Sequence, residues 1–250
     1  MKAIGIIGYH HTGKTTLATH LIAALVDRGM RVSSIKDIHN DAYRADTESS
    51  NSWKHARAGA HQVFAKGLHD SALIITPPPD LKGILPFLDC DWLVIEGMKD
   101  AAVPKIVCAQ SEEQLEELID ATCIGISGPI ASRMKDYRSL PVFCLEKDSD
   151  ALLDTVLRHC FPILPQSDPQ CCSACGKTCH QMAADILSGV SSREDCVLDG
   201  KPELRLWVNG REVTIVPFVQ NIIRDSVRAL VGNLKGVDAD GSIRLEITGK

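Results

Sequence analysis

No run of 18 apolar residues occurs anywhere in the 250-residue chain, so it offers no candidate for a membrane-spanning helix. An excess of basic residues is missing too. Lys and Arg number 27 against 32 Asp and Glu, giving a formal charge of −5 and a pI near 6.0. Such a balance argues against a surface built to neutralise a phosphate backbone, so nucleic acid is not an expected partner. A secretory leader is also not legible: after Met1-Lys2 the apolar run breaks at Tyr9-His10-His11, too soon for a signal-peptide core. A cytoplasmic protein is therefore expected, and in that reducing compartment ten cysteines do not read as a disulfide framework.

What the chain does contain begins at residues Gly8 to Thr15, G-Y-H-H-T-G-K-T, set between the apolar run Ala3 to Ile7 and an amphipathic segment from Thr16. That is the pattern of a phosphate-binding loop in its required setting, strand before and helix after. The glycines let successive backbone N–H groups turn toward a phosphate, Lys14 adds a point charge, and Thr15 offers a hydroxyl to Mg²⁺. A glycine-rich turn that merely joins strand to helix is the alternative, and it leaves Lys14 and Thr15 without a purpose.

Hydrophobic residues make up 44% of the chain, enough for one large domain or a medium one with a small appendage. Leu17, Leu21, Ile22, Leu25 and Val26 recur at helical spacing before Gly29. Met30 to Ile35 reads as a strand that delivers Lys36 and Asp37 to its C-terminal end, where ligands collect in open α/β sheets. Lys36 is placed to touch phosphate and Asp37 to hold Mg²⁺ directly or through water; a salt bridge between the two or with neighbours is the alternative. His39 to Ser52 is polar and aperiodic, an exposed loop, and Ser52 to Ala58 a short helix. Two short apolar runs, Gln62 to Ala65 and Ala72 to Thr76, precede Pro77-Pro78-Pro79, and Asp80 is a cap for a helix over Leu81 to Leu88. The string D-W-L-V-I-E-G at Asp91 to Gly97 is a buried strand ending on Glu96, placed to bind the metal, its water, or an attacking water. Further strands are expected at Ile106 to Ala109, Thr122 to Ser127 and Val142 to Leu145, with helices over Glu112 to Ile119, whose glutamates read as a solvated face, and Asp150 to Cys160. This alternation predicts an α/β fold, a phosphate-loop NTPase with a mostly parallel sheet and helices on both faces.

Residues 1–161 form the expected nucleotide-binding domain and the proline-bearing segment 162–170 a linker. Residues 171–200 are a cysteine-rich module. The single cysteines Cys90, Cys108, Cys123, Cys144 and Cys160 read as small core residues. By contrast Cys172, Cys175, Cys179 and Cys196 follow a C-x2-C-x3-C-x16-C spacing, enough thiolates to close a four-ligand shell for Zn²⁺ or an iron-sulfur cluster. A tight triplet with a remote fourth favours [4Fe–4S]; Cys171 is a substitute for Cys172, and His180 a bystander. Residues 201–250 are a small ββαβ unit: a strand about Leu204, Leu206 and Val208, a turn at Asn209-Gly210, and a strand Val213 to Val216. A helix from Pro217 with the stripe Phe218, Ile222, Val227, Leu230 and Leu234 follows, then a strand Ile243 to Ile247.

Several local strings narrow the class: I-K-D-I-H-N-D at Ile35 to Asp41, H-A-R-A-G-A at His55 to Ala60, L-V-I-E-G-M-K at Leu93 to Lys99, and P-K-I-V at Pro104 to Val107. Over residues 1 to 160 the chain resembles the molybdopterin-guanine dinucleotide biosynthesis protein B (MobB) family. In the family pattern K-H-x-H-H, Asp37 here replaces the first histidine and Asn40 the last, leaving His39. The resemblance implies a GTP-binding, weakly hydrolysing protein that assists the molybdenum cofactor guanylyltransferase, the enzyme that attaches GMP to the molybdenum or tungsten pterin cofactor. It further implies service to the molybdenum or tungsten metalloenzyme being matured, and leaves a homodimer open. The nucleotide set would be Gly8, His11, Thr12, Gly13, Lys14, Thr15 and Thr16 with Lys36 and Asp37. Lys14 and Glu96 would carry the chemistry, and Thr15 and Glu96 would hold Mg²⁺. No N-K-x-D guanine-reading string is present, so GTP over ATP rests on the resemblance alone, and no arginine stands out as a transition-state finger. The segment from Cys175 through C-G-K-T-C-H-Q-M-A-A-D-I-L-S-G to Cys196 is similar to a small four-cysteine iron-sulfur domain of membrane electron-transport subunits and corrinoid proteins, with one residue fewer between its second and third cysteines. A small-molecule kinase and a nucleotide-switched metal or electron-transfer adaptor are the alternative functions.

Overall fold

The computed structural model describes residues 1–167, 172, 175–196, 198, 204, 206–208, 211–213, 215, 217–234, 243–245 and 247. The chain divides into two compact units, Met1–Gln166 and Ser167–Lys250.

In the first unit, β1 (Lys2–Gly8) is buried on both faces, as its unbroken A-I-G-I-I run requires. It leads through the phosphate loop to α1 (Lys14–Val26), which buries Leu17, Ala18, Leu21 and Leu25 and leaves Val26 exposed. Gly29, at φ +78°, ends the helix turn in the left-handed region, and β2 (Val32–Lys36) follows. The polar loop ends where the Ser50 hydroxyl accepts from Trp53 N and caps α2 (Asn51–Arg57). The two short apolar runs pair as an antiparallel hairpin, β3 (Gln62–Lys66) and β4 (Ser71–Ile75). Asp80 caps α3 (Leu81–Ile84) by accepting from Gly83 N at 2.8 Å, and a turn of 3₁₀ helix prolongs it to Phe87. Then come β5 (Trp92–Glu96), β6 (Lys105–Cys108), α4 (Glu112–Leu118) and β7 (Cys123–Ser127).

These strands form one parallel five-stranded sheet in the order β2-β5-β1-β6-β7. The chain places β2 on one side of β1 and β6 on the other, so the sheet order reverses beside β1. Ligand sites in open parallel sheets lie beyond the strand C-termini at such a reversal.

A strand expected over Val142 to Leu145 shrinks to a single parallel bridge between Ile126 and Val142. The cause is local: the Asp148 carboxylate accepts from Cys144 N at 2.9 Å, turning the chain into α5 (Leu145–His159), which begins five residues ahead of expectation. A small hairpin, β8 (Asp136–Tyr137) and β9 (Leu140–Pro141), precedes it. The start of the expected linker packs on the first unit. Pro162 bridges Lys2, Leu164 is fully buried, and the Gln166 amide bonds both backbone groups of Ala102.

In the second unit, α6 (Cys179–Leu187) starts at a reciprocal capping box in which the Thr178 hydroxyl accepts from Gln181 N and the Gln181 side chain from Thr178 N. Met182 and Ala183 are its buried residues. A strand pair is formed by β10 (Leu206–Val208) and β11 (Arg211–Val213), the latter starting two residues ahead of the expected Val213, with 214 and 216 outside the described residues, and the helix is α7 (Pro217–Gly232). Phe218, Ile222, Leu230 and Leu234 of its expected stripe are exposed. The Asn209-Gly210 turn and Cys171 lie outside the described residues. Of the expected last strand, 243–245 and 247 are described, and they carry no strand. Among the described residues no helix is long and apolar enough to cross a membrane.

Candidate functional site

The loop after β1 is held in shape before any ligand is considered. Gly8 (φ +156°) lies so close to β6 that a Cβ there would meet the Cys108 carbonyl at 2.4 Å. Thr12 is fully buried, and its hydroxyl donates to Tyr9 O at 2.8 Å, tying the loop across itself. His11 stands at φ +59°, and its carbonyl accepts from Gln110 Nε2 at 2.9 Å. Gly13, at φ +88°, is the N-cap of α1, whose first residue is Lys14. The loop's N–H groups and the positive end of a 13-residue helix thus share one mouth.

Lys14 lies along this mouth with its ammonium donating to Tyr9 O. Partial burial lowers its pKa, while the nearby Glu96 carboxylate works the other way. Thr15 Oγ1 donates to Glu96 Oε1 at 2.8 Å, bringing together the hydroxyl and carboxylate expected to share a metal. Glu96 is buried, and β1 and β2 flank it on either side in the sheet. Lys36 Nζ reaches the same Glu96 oxygen at 2.9 Å. Lys36 and Asp37 thus pair with neighbours rather than with each other: Asp37 Oδ2 meets His39 Nε2 at 2.8 Å. Gly97 (φ +116°) passes so close to Asp37 that a Cβ would touch the Asp37 Cβ at 2.8 Å. Thr16 is exposed, and its carbonyl accepts from Thr19.

The mouth opens into a cleft of about 720 Å³ lined by Gly8, Tyr9, His10, Lys14, Asp37, His39, Asp80, Lys82, Met98, Lys99 and Asp100. A triphosphate and its base fit a cavity of that size. Tyr9 stands at its rim, hydrogen bonded to Glu117 with the Lys99 ammonium 5.0 Å from its ring centre. The α4 glutamates are thus not merely solvated, since one of them anchors a loop residue. Sequence reasoning also missed Gln110 and Gly128. Nothing in the string around Gln110 marks it, whereas Gly128-Pro129 after a buried strand is a visible break signal. Gly128, at φ +94°, lies under the loop, and a Cβ there would meet Thr12 O at 2.6 Å and Ala109 O at 3.0 Å. Gly128→Ala should therefore cost about 1–3 kcal/mol and distort the loop. A lower melting temperature together with weakened nucleotide binding checks this; an unchanged melting temperature contradicts it.

Of the isolated cysteines, Cys90, Cys108, Cys123 and Cys160 are buried and Cys144 is half-buried. Burial pushes the thiols of Cys108 and Cys123 up to about 12 and that of Cys160 further, which fits core residues rather than reactive ones. In the second unit, Cys172 and Cys175 are half-buried, and the Cys175 thiol lies 3.5 Å from Lys177 O. Cys179 opens α6 and Cys196 is buried after a 3₁₀ turn. All four thiols are carried by one compact unit. Among the described residues, no three His, Cys, Asp or Glu side chains are gathered closely enough to hold a metal.

A parallel sheet with a phosphate loop after its central strand, and an acidic residue at the tip of the neighbouring strand, defines a P-loop NTPase fold of the α/β class. Residues 3–126 match the family model for molybdopterin guanine dinucleotide synthesis protein B. The chain belongs to this MobB family. It is 31% identical over 148 residues to the molybdopterin-guanine dinucleotide biosynthesis adapter protein of Haemophilus influenzae, covering 55% of this chain and 83% of that one. The crystal structure of Bacillus subtilis MobB superposes with a TM-score of 0.54 at 26% identity, covering 63% of this chain and 97% of that one. A Methanocaldococcus jannaschii protein, whose provisional name gives it the same adapter role, is 27% identical over 256 residues, 99% of this chain and 97% of that one. The similarity to the archaeal relative therefore extends over the second unit as well.

Proposed function

We propose that the first unit binds GTP with Mg²⁺, hydrolyses it slowly, and acts as an adapter in the synthesis of molybdopterin guanine dinucleotide. The observation that carries this reading is the meeting of Thr15 and Glu96 at 2.8 Å beneath the phosphate loop of a MobB-family chain. Two hard oxygen donors beside an anion cradle suit Mg²⁺, which prefers few protein ligands and completes its shell with water and phosphate. Backbone amides from Gly8 to Lys14 and the Lys14 ammonium would bind phosphate, and Glu96 would orient a water. Mg²⁺ bound there would neutralise charge on the phosphates. Slow turnover follows from the lack of an arginine aimed into the described cleft. The expected partner is the molybdenum cofactor guanylyltransferase, with the metalloenzyme being matured as a further one. Calorimetry with GTP and ATP, with and without Mg²⁺, tests the first part, and co-purification with the guanylyltransferase the second. Absence of Mg²⁺-dependent GTP binding overturns the nucleotide reading, and hydrolysis without any acceptor contradicts an obligate kinase.

We further propose that Cys172, Cys175, Cys179 and Cys196 ligate a [4Fe–4S] cluster. The support is the donor set: four soft thiols within 25 residues, one of them at a helix N-terminus, where a thiolate is stabilised. Anaerobically purified protein should be brown, and Cys175→Ser should lose its metal while the first unit stays folded. A colourless preparation holding stoichiometric Zn²⁺ would overturn the cluster in favour of zinc.

A further inference from the structure

Three atoms beside the phosphate loop close a triangle. Thr15 Oγ1 lies 2.8 Å from Glu96 Oε1, and Lys36 Nζ lies 2.9 Å from that carboxylate oxygen and 3.2 Å from the hydroxyl. The two oxygens are the donors that suit a divalent cation, and the ammonium already spans them.

The sheet makes this arrangement unavoidable. Lys36 and Glu96 are register partners at the C-terminal ends of β2 and β5, so their side chains leave the sheet side by side. Their environments differ sharply. The Glu96 side chain is 10% exposed and the Lys36 side chain 54%. A buried carboxylate needs a counter-charge, because an unpaired one bears the full cost of lost hydration. Lys36 supplies that charge from the solvent side, on a flexible four-carbon stem that can withdraw. A divalent cation held by Thr15 and Glu96 would use the same oxygens, and two cations at such short range repel strongly in a half-buried site.

We propose that Lys36 is a built-in cation that occupies the metal position of the ligand-free protein, so that Mg²⁺ enters with the nucleotide only by displacing it. Lys36 thereby acts as a positioning residue that sets the metal requirement. It pairs with the Glu96 carboxylate and keeps Thr15 oriented before metal arrives, and it raises the Mg²⁺ concentration at which the nucleotide is held tightly. This inference rests on the Mg²⁺–nucleotide reading above.

The test is a titration of free Mg²⁺ at fixed fluorescent GTP analogue, with affinity in EDTA as the reference, on the full-length chain. Lys36→Met should lower the half-saturating Mg²⁺ about tenfold, the equivalent of about 1.4 kcal/mol, and weaken binding in EDTA, widening the gap between the two conditions. Lys36→Arg retains a cation and can pair more firmly with the carboxylate, so its half-saturating Mg²⁺ should lie above that of the unmodified protein. Should Lys36→Met fail to fold, the arginine variant alone decides. Half-saturating Mg²⁺ that is the same in the variants and the unmodified chain overturns the proposal while leaving nucleotide binding intact. An unmodified chain that binds no analogue at any Mg²⁺ concentration removes the nucleotide reading and this proposal together.

Discussion

Lys14→Ala should weaken GTP binding by about a hundredfold, as expected when a charge-assisted phosphate contact worth about 1.5–3 kcal/mol is removed from a partly desolvated mouth. The ammonium donates to a backbone carbonyl of the loop, Tyr9 O, and burial already lowers its pKa. Its charge is therefore maintained at a cost that a bound phosphate would recover. The same shift gives a pH dependence with a definite sign. Lowered below the ordinary lysine value, Lys14 loses its proton earlier on the alkaline side, so GTP affinity should decline there before free lysine titrates. The first unit should remain folded, because Lys14 is not among its buried core residues. Titration of a fluorescent GTP analogue checks the effect, with circular dichroism as the folding control. Retained affinity in a folded variant would refute the phosphate-loop assignment.

Lys105→Ala should destabilise the fold by about 3 kcal/mol. Lys105 is fully buried at the start of β6, and its ammonium lies 3.1 Å from Asp120 Oδ2. Its aliphatic stem packs beside Gly5 of β1, where an added Cβ would meet Lys105 Cγ at 3.2 Å. Truncation leaves both a cavity in the sheet and a carboxylate deprived of its buried partner. Lys105→Met keeps the stem, and combined with Asp120→Asn it should recover most of the loss. Urea unfolding of the three proteins measures this; equal midpoints for the unmodified chain and Lys105→Ala would contradict it. Acid provides a second check. Burial pushes the Asp120 carboxyl up, but hydrogen bonds from Thr122 and the charge of Lys105 outweigh it and hold the group at about 2, below its ordinary 3.8. A depressed carboxylate stabilises the fold above its unfolded pKa, and the contribution is lost as pH falls from about 3.8 through about 2. Lys105→Met should flatten that part of the acid transition.

How much could be read in advance differs between the two units. In the first, Gly8 to Thr15 and Asp91 to Gly97 were legible because short-range chemistry dictates them: an apolar run must be buried, a glycine must turn, and a strand tip must face a ligand. Asp80 was legible as a cap for the same reason. The partners of those groups were not. Lys36 pairs with Glu96 across the sheet rather than with its neighbour Asp37, because adjacent strand residues point to opposite faces while register partners leave the sheet together. Val142 makes a parallel bridge to Ile126 but does not continue as a strand, because Asp148, six residues on, captures Cys144 N and turns the chain into a helix.

By itself the sequence determined the class: a phosphate loop between strand and helix, an acidic strand tip, the strings of the MobB family, and four spaced cysteines in a C-terminal segment. Only the tertiary structure decided the strand order β2-β5-β1-β6-β7, which sets Lys36 and Glu96 side by side. It also revealed Gly128 and Gln110 under the loop and the Lys105–Asp120 pair beneath the sheet. The division has a physical cause. Local patterns record what each residue needs from its own segment, whereas pairing between distant strands depends on which elements become neighbours once the core is buried.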